Sequence, residues 1–205
     1  MVTPLGAGFF ARPARDVAPD LIGCVFAGND VAGVIVEVER YEHWDAASHS
    51  FRGPTARSRV MFGPAGRLYV YRSYGVHWCV NIVCGSPGQG SALLLRAVQP
   101  TAGLELMGAR RGTTAARDLC RGPGRLAAAF GITGELNGTP LEAQDAPDGG
   151  LRVLPRVLDD IAIQRGPRVG ITRDADRAWR YALIDCPWVS GRRTHAAIPE
   201  DRITI

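Results

Sequence analysis

Lysine is missing from all 205 residues, so every one of the 24 basic side chains is an arginine. Its absence rules out a Schiff-base mechanism through a lysine amine, and also a P-loop, whose lysine sits on the phosphates. Cysteine is sparse and unpatterned: Cys24, Cys79, Cys84, Cys120 and Cys186 are an odd, scattered set with no CxxC pair. A disulfide framework or a structural zinc site is not built that way, and a reducing cytoplasm suits it best. The four histidines show no HExxH spacing. His43, Asp45 and His49 lie close together, but loop histidines are more often hydrogen-bonding groups than ligands, so no metal is expected. No apolar run reaches the roughly 18 residues of a membrane span, and the opening MVTPLGAGFFARPARD lacks the pattern of an export signal.

Hydrophobic residues make up 46% of the chain, enough to bury a core in one domain spanning residues 1–205. The net charge of +4 suits an anionic partner. Asp16 reads as the cap of a short helix over Ala18 to Ile22, with Pro19 in its first turn. Cys24 to Ala27 and Val31 to Val38 flank the turn Gly28-Asn29-Asp30 and predict a hairpin. Tyr41 to Gly66 is a long aperiodic loop. Arg67 to Tyr74, Val76 to Cys84 and Ala92 to Val98 are β-rich runs with short connections, which favours antiparallel pairing. Pro100 is expected to end the last of them, and Thr101 to Arg111 to form a helix. Arg121-Gly122-Pro123-Gly124-Arg125 opens another helix, LAAAF, where a phosphate contact and an ordinary cap are equally good readings. Residues 137–155 and the tail after Ser190 read as surface segments. Arg168 to Ile171 and Arg180 to Ile184 read as late strands. The fold class is α+β: a single domain on a curved, mainly antiparallel β-sheet with flanking helices.

The chemically capable side chains concentrate between Val36 and Asn81. In VIVEVERY, alternation puts Glu37, Glu39 and Tyr41 opposite Val36 and Val38, and a solvated face accounts for Glu37. Glu39 stands out by its company. Arg96 interrupts the apolar run LLLRAV, where a buried arginine needs a carboxylate or an anionic ligand, and a guanidinium keeps a nearby acid ionised for work as a base. Tyr69 and Tyr71 share a strand face, whereas Tyr74 falls beside Gly75 at a turn, placed to project as a wedge between bases. Asp45 reads as a loop-ordering acid.

The strings EVERY, DAASHS, GPTARSRVMFGPAGRLYVYRSYGVHWCVN, LLLRAVQPTAGLELMGARR, LCRGPGRLAAAFGI, RVGI and PWVS, in this order and over most of the chain, resemble the alkyladenine (3-methyladenine) DNA glycosylase family. The resemblance implies an enzyme that flips alkylated or deaminated purines out of double-stranded DNA and hydrolyses their glycosidic bond without cofactor or metal. It implies that Glu39 is the general base for the attacking water, which Arg96 and the Val169 carbonyl help to hold. Tyr41, His49 and Tyr71 would sandwich the purine, Asn81 would exclude guanine at the pocket floor, and Tyr74 would fill the gap in the stack. Arg57 and Arg125 would contact the DNA backbone, Arg125 standing where the family often has lysine. The link between Tyr41 and Asp45 is one residue shorter than usual, which places Trp44 to reshape the pocket wall.

A monomer in a bacterial cytoplasm, associated with the nucleoid, is expected. Two other readings fit the residues alone: a non-catalytic nucleic-acid-binding module, and a glycosidase acting on free nucleosides or sugars. The second is weakened because no other carboxylate sits in a setting like that of Glu39.

Overall fold

A computed structural model describes residues 2–141 and 150–191. Residues 142–149 of the excursion at 137–155 and nearly all of the tail after Ser190 therefore lie outside the described residues. The chain runs through α1 (Ala7–Phe10), α2 (Ala14–Leu21), β1 (Cys24–Gly28), β2 (Val31–Tyr41), β3 (Leu68–Ser73), β4 (His77–Cys84) and β5 (Ser91–Ala102). It continues through α3 (Leu104–Arg111), α4 (Ala116–Leu119), α5 (Pro123–Ala129), β6 (Arg152–Arg156), β7 (Ile163–Gly166) and β8 (Arg180–Leu183). The strands lie in the order β3-β4-β5-β2-β1-β6, with β8 pairing both β2 and β7. Every one of these pairings is antiparallel, and the sheet is not strongly curled.

Period-2 alternation divides the sheet into two faces with different duties. Leu68, Val70, Val80, Ile82, Leu93 and Leu95 enter the main core with α2, α3 and α5. Between them Tyr69, Tyr71, Cys79, Asn81, Leu94 and Arg96 point the other way, into a cavity. The helices thus back the strands, and the opposite face is free for chemistry.

Several local expectations need correction. Pro13 is the N-cap of α2; Asp16 lies in its first turn, and Pro19 lies inside the helix. An interior proline forfeits a backbone bond, but Ala14, Val17, Ala18 and Leu21 form a buried stripe that offsets the loss. Pro100 does not end β5, which runs on to Ala102; it pairs with Gly33 beside a register shift, where a missing N–H is tolerated. Arg168 to Ile171 is no strand, because its backbone serves the cavity instead of a ladder. Helices α1 and α4 and strands β6 and β7 were not anticipated. The β1–β2 hairpin forms as expected, around Asn29 and Asp30 at φ of 53° and 62°.

Glu37 is the largest correction. It is completely buried rather than solvated. The β2–β5 register pairs Ile35 with Val98, Glu37 with Ala97 and Val38 with Leu95, so Val36 and Arg96 each stand as an extra residue in a bulge. Val36 and Val38 therefore enter different clusters on opposite faces. Strand β8 then pairs with β2 at Glu37 to Glu39, replacing the solvent that alternation assumed. Bulges of this kind re-aim side chains, and this one turns Arg96 toward both acids.

Candidate active site

Glu39 sits in the stretch of β2 flanked by β5 and β8 and has no solvent exposure. Its Oε1 accepts the Val169 N–H at 2.7 Å and lies 3.2 Å from Arg96 Nη1; its Oε2 accepts the Tyr41 hydroxyl at 2.9 Å. Burial pushes the carboxyl above the usual carboxylate range, against the opposing pull of Arg96, the Val169 N–H and Tyr41. The outcome is a carboxylate more basic than one in water, held by three donors.

A cavity of about 450 Å³ opens over this acid. Tyr41, His49, Arg57, Tyr71, Tyr74, Asn81, Arg96 and Val169 all line it, so the structure brings together with Glu39 every anticipated site residue except Arg125. Arg125 is exposed and pairs with Asp118 at 2.7 Å. Its neighbour Arg121 binds the carbonyls of Val189 and Gly191, so both arginines of that turn already have protein partners.

The aromatic wall is tightly cross-braced. The rings of Tyr69 and Tyr71 stack 5.5 Å apart, and His49 meets Tyr71 edge-on at 4.6 Å. His49 Nδ1 shares a 2.8 Å hydrogen bond with the Tyr69 hydroxyl. Burial, helped by the charge of Arg57, pushes the imidazole down to about 4, so it is neutral at physiological pH and offers a hydrogen bond rather than a charge. The Asn81 side-chain amide donates to the Tyr69 carbonyl at 3.0 Å beneath it. Among the described residues no three histidine, cysteine or acidic side chains gather as a metal site.

Tyr74 differs from the other tyrosines. It is 89% exposed at the tip of the β3–β4 hairpin, with φ at 50° and Gly75 at 69°. A bulky residue in the left-handed region is strained, and here the turn is closed by the Val76 N–H donating to the Ser73 carbonyl at 3.0 Å while the ring itself stays exposed.

Two groups escaped the sequence reading. Arg168 is wholly buried and grips Asp45 with both terminal nitrogens, while its guanidinium lies 4.5 Å over the Tyr41 ring. Asp45 orders its loop in this way. Arg180 pairs with Glu37. Both arginines interrupt otherwise apolar or aromatic strings, the signal that singled out Arg96. Val169 contributes its N–H to Glu39, a contact apart from the carbonyl role that the family resemblance assigns to it. Trp44 does not line the cavity: it packs edge-on against Trp179 at 5.0 Å, with Arg177 against both rings, and this outer cluster draws it off the pocket wall.

An acid held by donors at the base of an aromatic cavity is the arrangement that acid/base chemistry on a flat ligand requires. The chain belongs to the methylpurine-DNA glycosylase family, whose model matches residues 8–187. A Rhodopseudomonas palustris (strain HaA2) protein is 54% identical over 187 residues, covering 91% of this chain and 90% of its own. A Nitrobacter winogradskyi protein is 52% identical, covering 91% of this chain and 87% of its own, and one from Agrobacterium fabrum is 51% identical, covering 89% and 90%. Each carries the name "Putative 3-methyladenine DNA glycosylase", and the relatives are bacterial. The chain is accordingly an enzyme of DNA repair, a DNA-3-methyladenine glycosylase, and acts on damaged DNA. No helix among its described residues is long and apolar enough to cross a membrane.

Proposed function

We propose that this enzyme is a monofunctional glycosylase for 3-methyladenine, hypoxanthine and ethenoadenine in double-stranded DNA, acting as a monomeric single domain in the cytoplasm. The damaged nucleotide swings out of the duplex into the cavity, and Tyr74 takes its place in the stack. Tyr41, Tyr71 and His49 embrace the purine, whose partial positive charge suits aromatic faces. Asn81 at the floor discriminates against guanine. Arg57 and Arg125 contact backbone phosphates, Arg125 by exchanging Asp118 for the DNA. Glu39 accepts a proton from water as the water oxygen bonds to C1′; the bond from C1′ to the purine nitrogen breaks, and the base leaves with that electron pair. Arg96 and Val169 hold Glu39 and the water in line. With no lysine amine to form a Schiff base, the enzyme stops at the abasic site. The transition state has oxocarbenium character and needs neither metal nor organic cofactor.

The observation that carries this reading is Glu39 itself, buried, held by three donors and facing an aromatic cavity. Duplex oligonucleotides bearing each lesion, incubated with the enzyme and cleaved by alkali at abasic sites, test it. Excision is expected from the native protein. Glu39→Gln should bind the same duplexes while excising about 10²–10⁴-fold more slowly or not at all. Full turnover by Glu39→Gln would remove Glu39 as the base.

A further inference from the structure

Glu37 precedes Glu39 by two residues on β2, yet it is absent from the cavity wall. Its Oε1 accepts from Arg96 Nε at 3.0 Å and from Arg180 Nε, and its Oε2 accepts the Ser190 N–H at 2.7 Å. Arg96 Nη2 donates to Ser190 Oγ at 3.1 Å. Two of the three Arg96 nitrogens are thus anchored behind the cavity, leaving Nη1 for Glu39. A structural ion pair would need only Glu37 and Arg180. The further bond to Arg96 makes Glu37 a competitor of Glu39 for one cation.

We propose that Glu37 and Arg180 are positioning residues that set how much of the Arg96 cation Glu39 receives. The inference rests on the reading of Glu39 as the base. The groups that face Glu39 are Glu37 and Tyr41 from β2, Cys79 from β4, Arg96 from β5, Arg180 opposite it on β8, and Arg168 with the Val169 N–H from the following loop. Among them Glu37 is the other carboxylate. Removing its charge hands Arg96 to Glu39 and takes away a like charge, so Glu39 keeps its ionised form to lower pH. Removing Arg180 leaves Glu37 to draw on Arg96 alone, so Glu39 takes up a proton at higher pH.

Single-turnover excision of hypoxanthine from duplex DNA, followed from about pH 4 to about pH 9, reads this directly. The acidic limb of the profile should fall by about half a unit or more in Glu37→Gln and rise in Arg180→Gln. A purely structural role would lower the melting temperature and move neither limb. The double variant Glu37→Gln/Arg180→Gln removes one charge of each sign, so it keeps the site balanced where a single variant fails to fold. Its limb should also fall, by less than in Glu37→Gln, and a limb that stays in place there overturns the proposal. Glu39→Gln, assayed alongside, separates the two levels. If it is inactive and the limb is unmoved, the positioning role alone falls; if it turns over, the base assignment falls and the proposal with it.

Discussion

The two walls of the cavity are held by different means. Glu39, Tyr71 and Asn81 stand on β2, β3 and β4, where the backbone ladder fixes each residue against two neighbours or one, and Arg96 stands in the β5 bulge beside them. His49 stands on a loop held mainly by side chains. Asp45 is gripped by Arg168, the Ala46 N–H donates to Asp174 at 2.8 Å, and the Ser50 hydroxyl donates to the Gly90 carbonyl at 2.6 Å. Position on the strand wall is shared among many weak bonds. On the loop wall it rests on a few strong ones, so single substitutions there have larger structural consequences.

Three substitutions probe that asymmetry. Asp45→Ala should have the largest effect, because it leaves Arg168 buried without its carboxylate; urea unfolding should show a loss of about 3–5 kcal/mol. Adding Arg168→Met should recover much of that loss, and a loss below about 1 kcal/mol for Asp45→Ala would mean that the loop is held by other contacts. Ser50→Ala comes next, at about 1–3 kcal/mol, since it strands the buried Gly90 carbonyl; excision should fall with it through misplacement of His49. An unchanged excision rate would detach His49 from this bond. Trp44→Ala should have the smallest effect, about 0.5–1.5 kcal/mol of lost ring packing on Trp179, with the lesion preference unaltered. A changed ranking of hypoxanthine against ethenoadenine in competition assays would return Trp44 to the pocket.

The same asymmetry decided what could be read in advance. Alternation placed Tyr69 and Tyr71 on one strand face, and they share it in the structure because β3 and β4 pair without a register shift. It failed at Glu37, where two bulges and the arrival of β8 undo the count, and no local pattern encodes a strand that returns more than a hundred residues later. Arg96 was legible as a cation in need of acids, and it has two. The same reasoning applied to Arg168 and Arg180 would have flagged them, but short strings around Gly170 and Tyr181 look like ordinary strand ends. Extending β5 through Pro100 was beyond a local rule, since the cost of a missing donor depends on what lies opposite.

The bond from the Ser190 N–H to Glu37 spans 153 residues, and that from Arg96 to the Ser190 hydroxyl spans 94. A ribosome releases Glu37 early and Ser190 late, so a nascent chain can assemble its first strands long before the buried acids acquire their full set of partners. Contacts this distant in sequence raise the contact order, which slows folding. The two buried acids therefore have their full set of partners only once the segment through Ser190 has docked against β2 and β5.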